Sequence, residues 1–210
     1  MATDFIDAHY GDKERAAFAY CHHPAMRCDF FRLCYLALHG GVYIDADARP
    51  KGRPLTEMLA VEAGLLLDHH CTGDNRMISE QELRVDDGRT SGWRHYFNNN
   101  PIAVRPDHTV IARALERATR EILACKARDE RCNIHWVTGP DNISIALFSD
   151  FEHTIETKGV FDFAGIEDWS SYTDQIWNAA IATATAIGAP ARASPEAGAH
   201  FLGNSSPISR

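Results

Sequence analysis

Two aspartates one residue apart, Asp45 and Asp47, stand near the end of the stretch "LHGGVYIDADARP", Leu38 to Pro50. Side chains at i and i+2 of an extended segment point to the same side. The two carboxylates therefore converge just past the short apolar run "VYI". Carboxylates held together repel unless a cation or a shared proton intervenes. Mg²⁺ or Mn²⁺ resolves the repulsion with oxygen ligands and keeps positions open for a diphosphate. Such an ion neutralises charge that builds on a leaving phosphate. Upstream, Asp29 and Arg32 lie three residues apart, a spacing that puts both on one face of a helix. Taken alone, Asp-x-Asp also occurs in surface turns, and an Asp–Arg pair at this spacing is usually a surface ion pair of small energy.

The elements that must position these residues can be read from periodicity. Residues 4–22 read as one helix, punctuated by Pro24. In residues 25–39, Met26, Phe30, Leu33, Cys34 and Ala37 recur at helical spacing and form a broad apolar face. Gly40 and Gly41 supply a left-handed stop, and "VYI" follows as a short buried strand. "KGRPLTEML" reads as a loop and "GLLLDHH" as a second buried strand. The polar stretch from Thr72 to Gly92 reads as a surface excursion of the kind that serves binding, here assigned to the acceptor. "WRHYFNNNPIAVRP" carries a strand and a turn, and a strong amphipathic helix starts near Asp107. Pro140 suits the first turn of another helix. "WSSYTDQIWNAAIATATAI" reads as a last helix whose aromatic stripe is core. Helices alternating with strands predict an α/β domain, spanning 1–188, with a flexible Ala/Pro/Gly/Ser-rich tail over 189–210.

Composition excludes several classes. The chain has 210 residues, enough for one sizeable core. A formal charge of −8 argues against nucleic acid or an anionic membrane as partner. Apolar runs fall short of the ~20 residues of a membrane span, and the charged start "MATDFIDAHYGDKER" predicts a cytoplasmic protein. The six cysteines include no C-x-x-C pair, and reduced structural thiols are expected, with Cys28 and Cys34 inside an apolar helical pattern. "DHHC", Asp68 to Cys71, matches the tetrapeptide of protein palmitoyltransferases, but the membrane spans and cysteine-rich domain of those enzymes are not here. A calcium loop is excluded by the spacing after Asp47.

The segment "CDFFRLCYLALHGGVYIDADARPKGRPL" resembles the signature of DXD-motif-containing glycosyltransferases (sugar-binding region) related to yeast initiating α-1,6-mannosyltransferase. In words, the signature is a small residue, Asp, two apolar residues, Arg, a helical run, Gly-Gly, apolar, Tyr, apolar, Asp-x-Asp. Every element falls in register, including the seven residues between Arg32 and Gly40; Cys28 replaces the commoner serine or alanine. Weaker likeness extends through "TGPDNISIAL" to Phe148, and "AHFLGNSS" resembles a C-terminal histidine-containing segment.

The resemblance implies a Rossmann-like α/β fold of the nucleotide-diphospho-sugar transferase (GT-A) type. It also implies transfer of a sugar from a UDP- or GDP-sugar donor to a saccharide or other hydroxyl acceptor, with retention, using Mn²⁺ or Mg²⁺. By position, Asp29 and Arg32 contact the donor sugar, together with Gly41 and Tyr43. Asp45 faces the donor ribose and sugar, Asp47 ligates the metal directly beside Asp45, and His200 is either an additional metal or phosphate ligand or a solvent-exposed histidine of the tail. Asn98 to Asn100 are candidates for the acceptor side, and a polar turn before Pro101 explains them equally well. Relatives begin with a strand and loop for the nucleoside base, ahead of the helix at Phe5, so one βαβ unit of roughly 30 residues is expected to be missing. Two alternatives stand beside the transferase. One is a catalytically degenerate nucleotide- or sugar-binding remnant of the same family. The other is a haloacid-dehalogenase-type phosphotransferase, which asks for Thr or Val where Arg49 stands.

Overall fold

The structure is a computed structural model. It describes residues 1–46, 48–52, 54–60, 64–68, 70–71, 77–78, 96–148, 165–167 and 173–175.

Three helices lead the chain: α1 (Ala2–His9), α2 (Asp12–Tyr20) and α3 (Pro24–His39). The single helix expected over 4–22 is thus two, because Gly11, with extended backbone, caps a fresh start at Asp12. Helix α3 opens one residue before the 25–39 read from the sequence, with Pro24 inside it rather than only ending the helix before. Pro24 takes the first turn, where its missing N–H costs nothing, and His23 Nδ1 accepts from the Ala25 amide at 3.2 Å. Its apolar face buries Met26, Phe30, Leu33 and Cys34. Cys28, expected as a core thiol, is exposed.

Helix α3 stops at Gly40, whose N–H still donates to the Leu36 carbonyl at 2.9 Å. Its φ is +63°, and a Cβ there would sit 2.6 Å from Pro106 N and 2.7 Å from the Val104 carbonyl oxygen. Only glycine tolerates both the conformation and the approach. The chain then enters β1 (Gly41–Tyr43), which is half-buried rather than buried as expected. After β2 (Ala48–Pro50) and a 3₁₀ helix (Leu55–Ala60) come β3 (Leu65–Asp68), β4 (His70–Cys71), β5 (Met77–Ile78), β6 (Tyr96–Phe97) and β7 (Ile102–Val104). Residues 77–78 of the expected surface excursion are therefore a strand, paired with β4. Helix α4 (Thr109–Ala127) is capped by His108, and α5 (Ile134–Val137) and α6 (Pro140–Phe148) follow. The last two strands are β8 (Gly165–Glu167) and β9 (Thr173–Gln175). Residues 173–175 fall within the expected last helix; they pair antiparallel with β2 instead.

The main sheet has the order β1-β7-β3-β8, with β7 antiparallel to both neighbours and β8 parallel to β3. Residue alternation along strands separates its two faces. Leu65, Leu67, Ile102 and Val104 join the helices in one core with Phe18, Phe30, Ile111 and Ile122. Leu66 and Ala103 point the other way, onto Met58 of the 3₁₀ helix. Burial on both faces explains why β3 reads as an unbroken leucine run. The architecture is α/β, with small sheets plus helices. The tail over 189–210 lies outside the described residues.

Candidate functional site

The middle of α3 and the exit of β1 bring four of the expected residues together. Arg32 is at the centre and its side chain is only 5% exposed. Its Nη2 lies 2.9 Å from Asp29 Oδ1, donates to the Tyr43 hydroxyl at 3.0 Å, and stands 3.6 Å from Asp45 Oδ1. Its guanidinium carbon is 3.8 Å from the centre of the Tyr43 ring, and Nη1 donates to the Asn99 carbonyl. The Nε is buried with no acceptor among the described residues. Tyr43 passes the chain on, donating its hydroxyl to Asp45 Oδ1 at 2.7 Å.

The helical spacing of Asp29 and Arg32 does make a pair, but a buried one rather than a surface one. Burial is the largest influence on Asp29 and raises its carboxyl above the ordinary aspartate range. Arg32 opposes that rise, the charge on Asp45 adds to it, and hydrogen bonds from Thr138 and Asn99 oppose it. Burial likewise drives the Tyr43 hydroxyl far above its ordinary value, with the hydrogen bond to Asp45 adding to the effect. Tyr43 is thus a neutral phenol at physiological pH, fit to donate to Asp45 and to accept from Arg32.

The loop after β6 contributes residues that the sequence offers only for an acceptor side. Asn99 Nδ2 donates to Asp29 Oδ1 at 3.2 Å, and Asn100 Oδ1 accepts from the Asp45 backbone amide at 2.8 Å. Thr138, in the turn before α6, donates to Asp29 Oδ2 at 3.4 Å. Cys28 joins the rim, its sulfur 3.4 Å from the Tyr43 hydroxyl. Gly41, also expected here, opens β1 with φ +111°. Asp47 and His200 lie outside the described residues.

Residues 4–63 match the family described as glycosyltransferase sugar-binding region containing DXD motif. The resemblance carried by Asp29, Arg32, Tyr43 and the two aspartates is therefore borne out over that span. No match is found among curated proteins. Among solved structures, the chain is similar to the PaToxG glycosyltransferase at 19% identity and a TM-score of 0.47, over 89% of this chain and 54% of that one. The chain thus spans about half the length of that structure.

Divalent ions of the Mg²⁺ class take carboxylate oxygens, and Asp45 meets that need: its side chain is 40% exposed, against 12% for Asp29. Asp29 is committed to Arg32, Asn99 and Thr138. No group of three or more metal-binding side chains occurs among the described residues. Among the described residues no helix is long and apolar enough to cross a membrane.

Proposed function

We propose that the chain is a metal-dependent glycosyltransferase. It moves a sugar from a UDP- or GDP-sugar donor to the hydroxyl of a saccharide or other acceptor, with retention at the anomeric carbon, in a Rossmann-like GT-A setting. The observation that carries this reading is the hydrogen-bonded set Asp29–Arg32–Tyr43–Asp45 at the exit of β1, directly before the second aspartate of the Asp-x-Asp pair. A sugar ring presents hydroxyls that both donate and accept. Asp29 and Asp45 receive their protons, and Arg32 holds both carboxylates in place. Tyr43 holds Arg32 and Asp45 in register, so the donor meets a preformed array rather than one that must be ordered on binding.

Asp47, with Asp45 and His200, would hold Mn²⁺ or Mg²⁺, which supplies charge neutralisation for the departing diphosphate. The guanidinium 3.6 Å from Asp45 Oδ1 already serves that carboxylate; this favours Asp47 as the more direct ligand and Asp45 as the partner of donor hydroxyls. Cys21, Cys28, Cys34, Cys125 and Cys132 are free thiols, which suits a cytoplasmic site of action.

The test is release of UDP or GDP from a panel of nucleotide sugars with Mn²⁺, with and without simple saccharide acceptors. Turnover with at least one donor, lowered about 100-fold or more in Asp45→Asn and Asp47→Asn, is the expected result. Binding of a nucleotide without turnover of any donor would replace this reading with a non-catalytic binding module.

A further inference from the structure

Thr138 lies well beyond residues 4–63, yet its side chain ends on the site. Thr138 is 2% exposed, and its single hydroxyl hydrogen has two acceptors in reach, the Ile134 carbonyl at 3.3 Å and Asp29 Oδ2 at 3.4 Å. A hydrogen bond to an ionised acceptor is roughly twice as strong as one between neutral groups, so an ionised Asp29 competes for the hydrogen with the slightly nearer carbonyl.

The turn that carries Thr138 is braced on every side. The amides of Thr138 and Gly139 both donate to the Ile134 carbonyl, at 3.0 and 2.9 Å. A Cβ at Gly139 would stand 2.8 Å from His135 Cα, so the turn closes this tightly only around glycine. Behind it, Arg117 of α4 donates from Nη1 to the Trp136 carbonyl at 2.7 Å and to Asn142 Oδ1 at 2.9 Å, with its guanidinium 4.7 Å from the Trp136 ring centre. Asn142 in turn donates to the Ala114 carbonyl at 2.9 Å. A buried arginine, a buried asparagine and two helices thus fix one threonine hydroxyl against one carboxylate.

We propose that Thr138 is a positioning residue of the donor site: its hydroxyl locks the Asp29 carboxylate in the rotamer that Arg32 and Asn99 share, presenting it to a donor sugar hydroxyl as a fixed acceptor. This rests on the function proposed above. Arg32, Asn99 and the charge of Asp45 are the other groups that face Asp29. Of the hydrogen bonds to its carboxylate, Thr138 alone supplies the one to Oδ2 among the described residues, while Arg32 and Asn99 share Oδ1. Without the hydroxyl, that oxygen loses its anchor.

The experiment compares wild type, Thr138→Val and Thr138→Ser by calorimetric titration with UDP- and GDP-sugars and with UDP and GDP alone, all with Mn²⁺. The proposal predicts that the valine variant binds the nucleotide sugar roughly tenfold more weakly while free nucleotide binds as in wild type, and that serine restores the difference. Equal affinity for the nucleotide sugar in valine and wild type, or an equal loss for sugar and free nucleotide, overturns it. A second readout needs no donor: titration of the Asp29 carboxyl by carbon NMR. Its midpoint moves further up in Thr138→Val and returns in Thr138→Ser; an unmoved midpoint again overturns the proposal. A wild type that binds no nucleotide sugar refutes the function proposed above, and the titration then still decides whether Thr138 holds Asp29.

Discussion

At the residue scale the site is organised around one arginine. Arg32 is tied to Asp29, Tyr43, Asp45 and the Asn99 carbonyl at once, which commits a buried cation to a single geometry. Removing Asp29 leaves the buried guanidinium, among the described residues, with only the more distant and more exposed Asp45 as counter-ion, so Asp29→Ala is expected to cost about 3 kcal/mol in urea unfolding. The pH dependence has a definite sign. Folding raises the Asp29 carboxyl above its ordinary value of 3.8, so the folded state binds that proton more tightly than the unfolded chain does. Its contribution to stability is therefore most favourable at or below 3.8 and declines as pH rises through the raised value. Asp29→Asn removes that decline; unfolding midpoints followed from acid to neutral pH check it, and an unchanged slope would assign the dependence to other groups. Tyr43→Phe keeps the ring over Arg32 and deletes only the hydroxyl between Arg32 and Asp45. A stability loss of about 1 kcal/mol is expected, with donor affinity falling at least tenfold in a binding titration.

At the scale of elements, the turn from α3 into β1 sets the site. Gly40 packs against Pro106 and the Val104 carbonyl, and the Asp107 amide donates to the Ala37 carbonyl at 3.0 Å, so the end of the helix and the exit of β7 are one joint. Gly40→Ala forces a Cβ into backbone at positive φ and is expected to cost about 2–3 kcal/mol, with donor binding weakened because Tyr43 and Asp45 are displaced. Equilibrium unfolding measures the first effect and titration the second. Helix α3, its glycine stop and the Asp29–Arg32 face were legible in the sequence because each is local: helical periodicity, a cap and a three-residue spacing. Asn99 and Thr138 were not, as partners of Asp29. They reach it from 70 and 109 residues away, and no local pattern encodes such a contact. The single helix read over 4–22 failed for a related reason: apolar and charged positions keep a helical rhythm across Gly11, while the backbone there is extended. The strand at 173–175 was misread because its pairing partner, β2, is more than a hundred residues earlier.

At the scale of the molecule, the sheet is buried on both faces near β3, and the helices and the 3₁₀ segment hold β1 and β7 side by side. That frame carries Tyr43 and Asp45 at one strand exit and Asn99 and Asn100 in the loop just ahead of the neighbouring strand. The central claim is that this site binds a nucleoside diphosphate sugar through a divalent ion at the Asp-x-Asp pair. The most direct measurement is thermal unfolding with UDP or GDP, each with and without Mn²⁺, on wild type and Asp47→Ala. A ligand that binds only the folded state at a hundredfold excess over its dissociation constant adds about 2.7 kcal/mol, roughly 5–10 °C for a chain of this size. The account predicts a shift with one of the two nucleotides that needs Mn²⁺ and disappears in Asp47→Ala. No shift with either nucleotide, or the same shift without the ion, would contradict it.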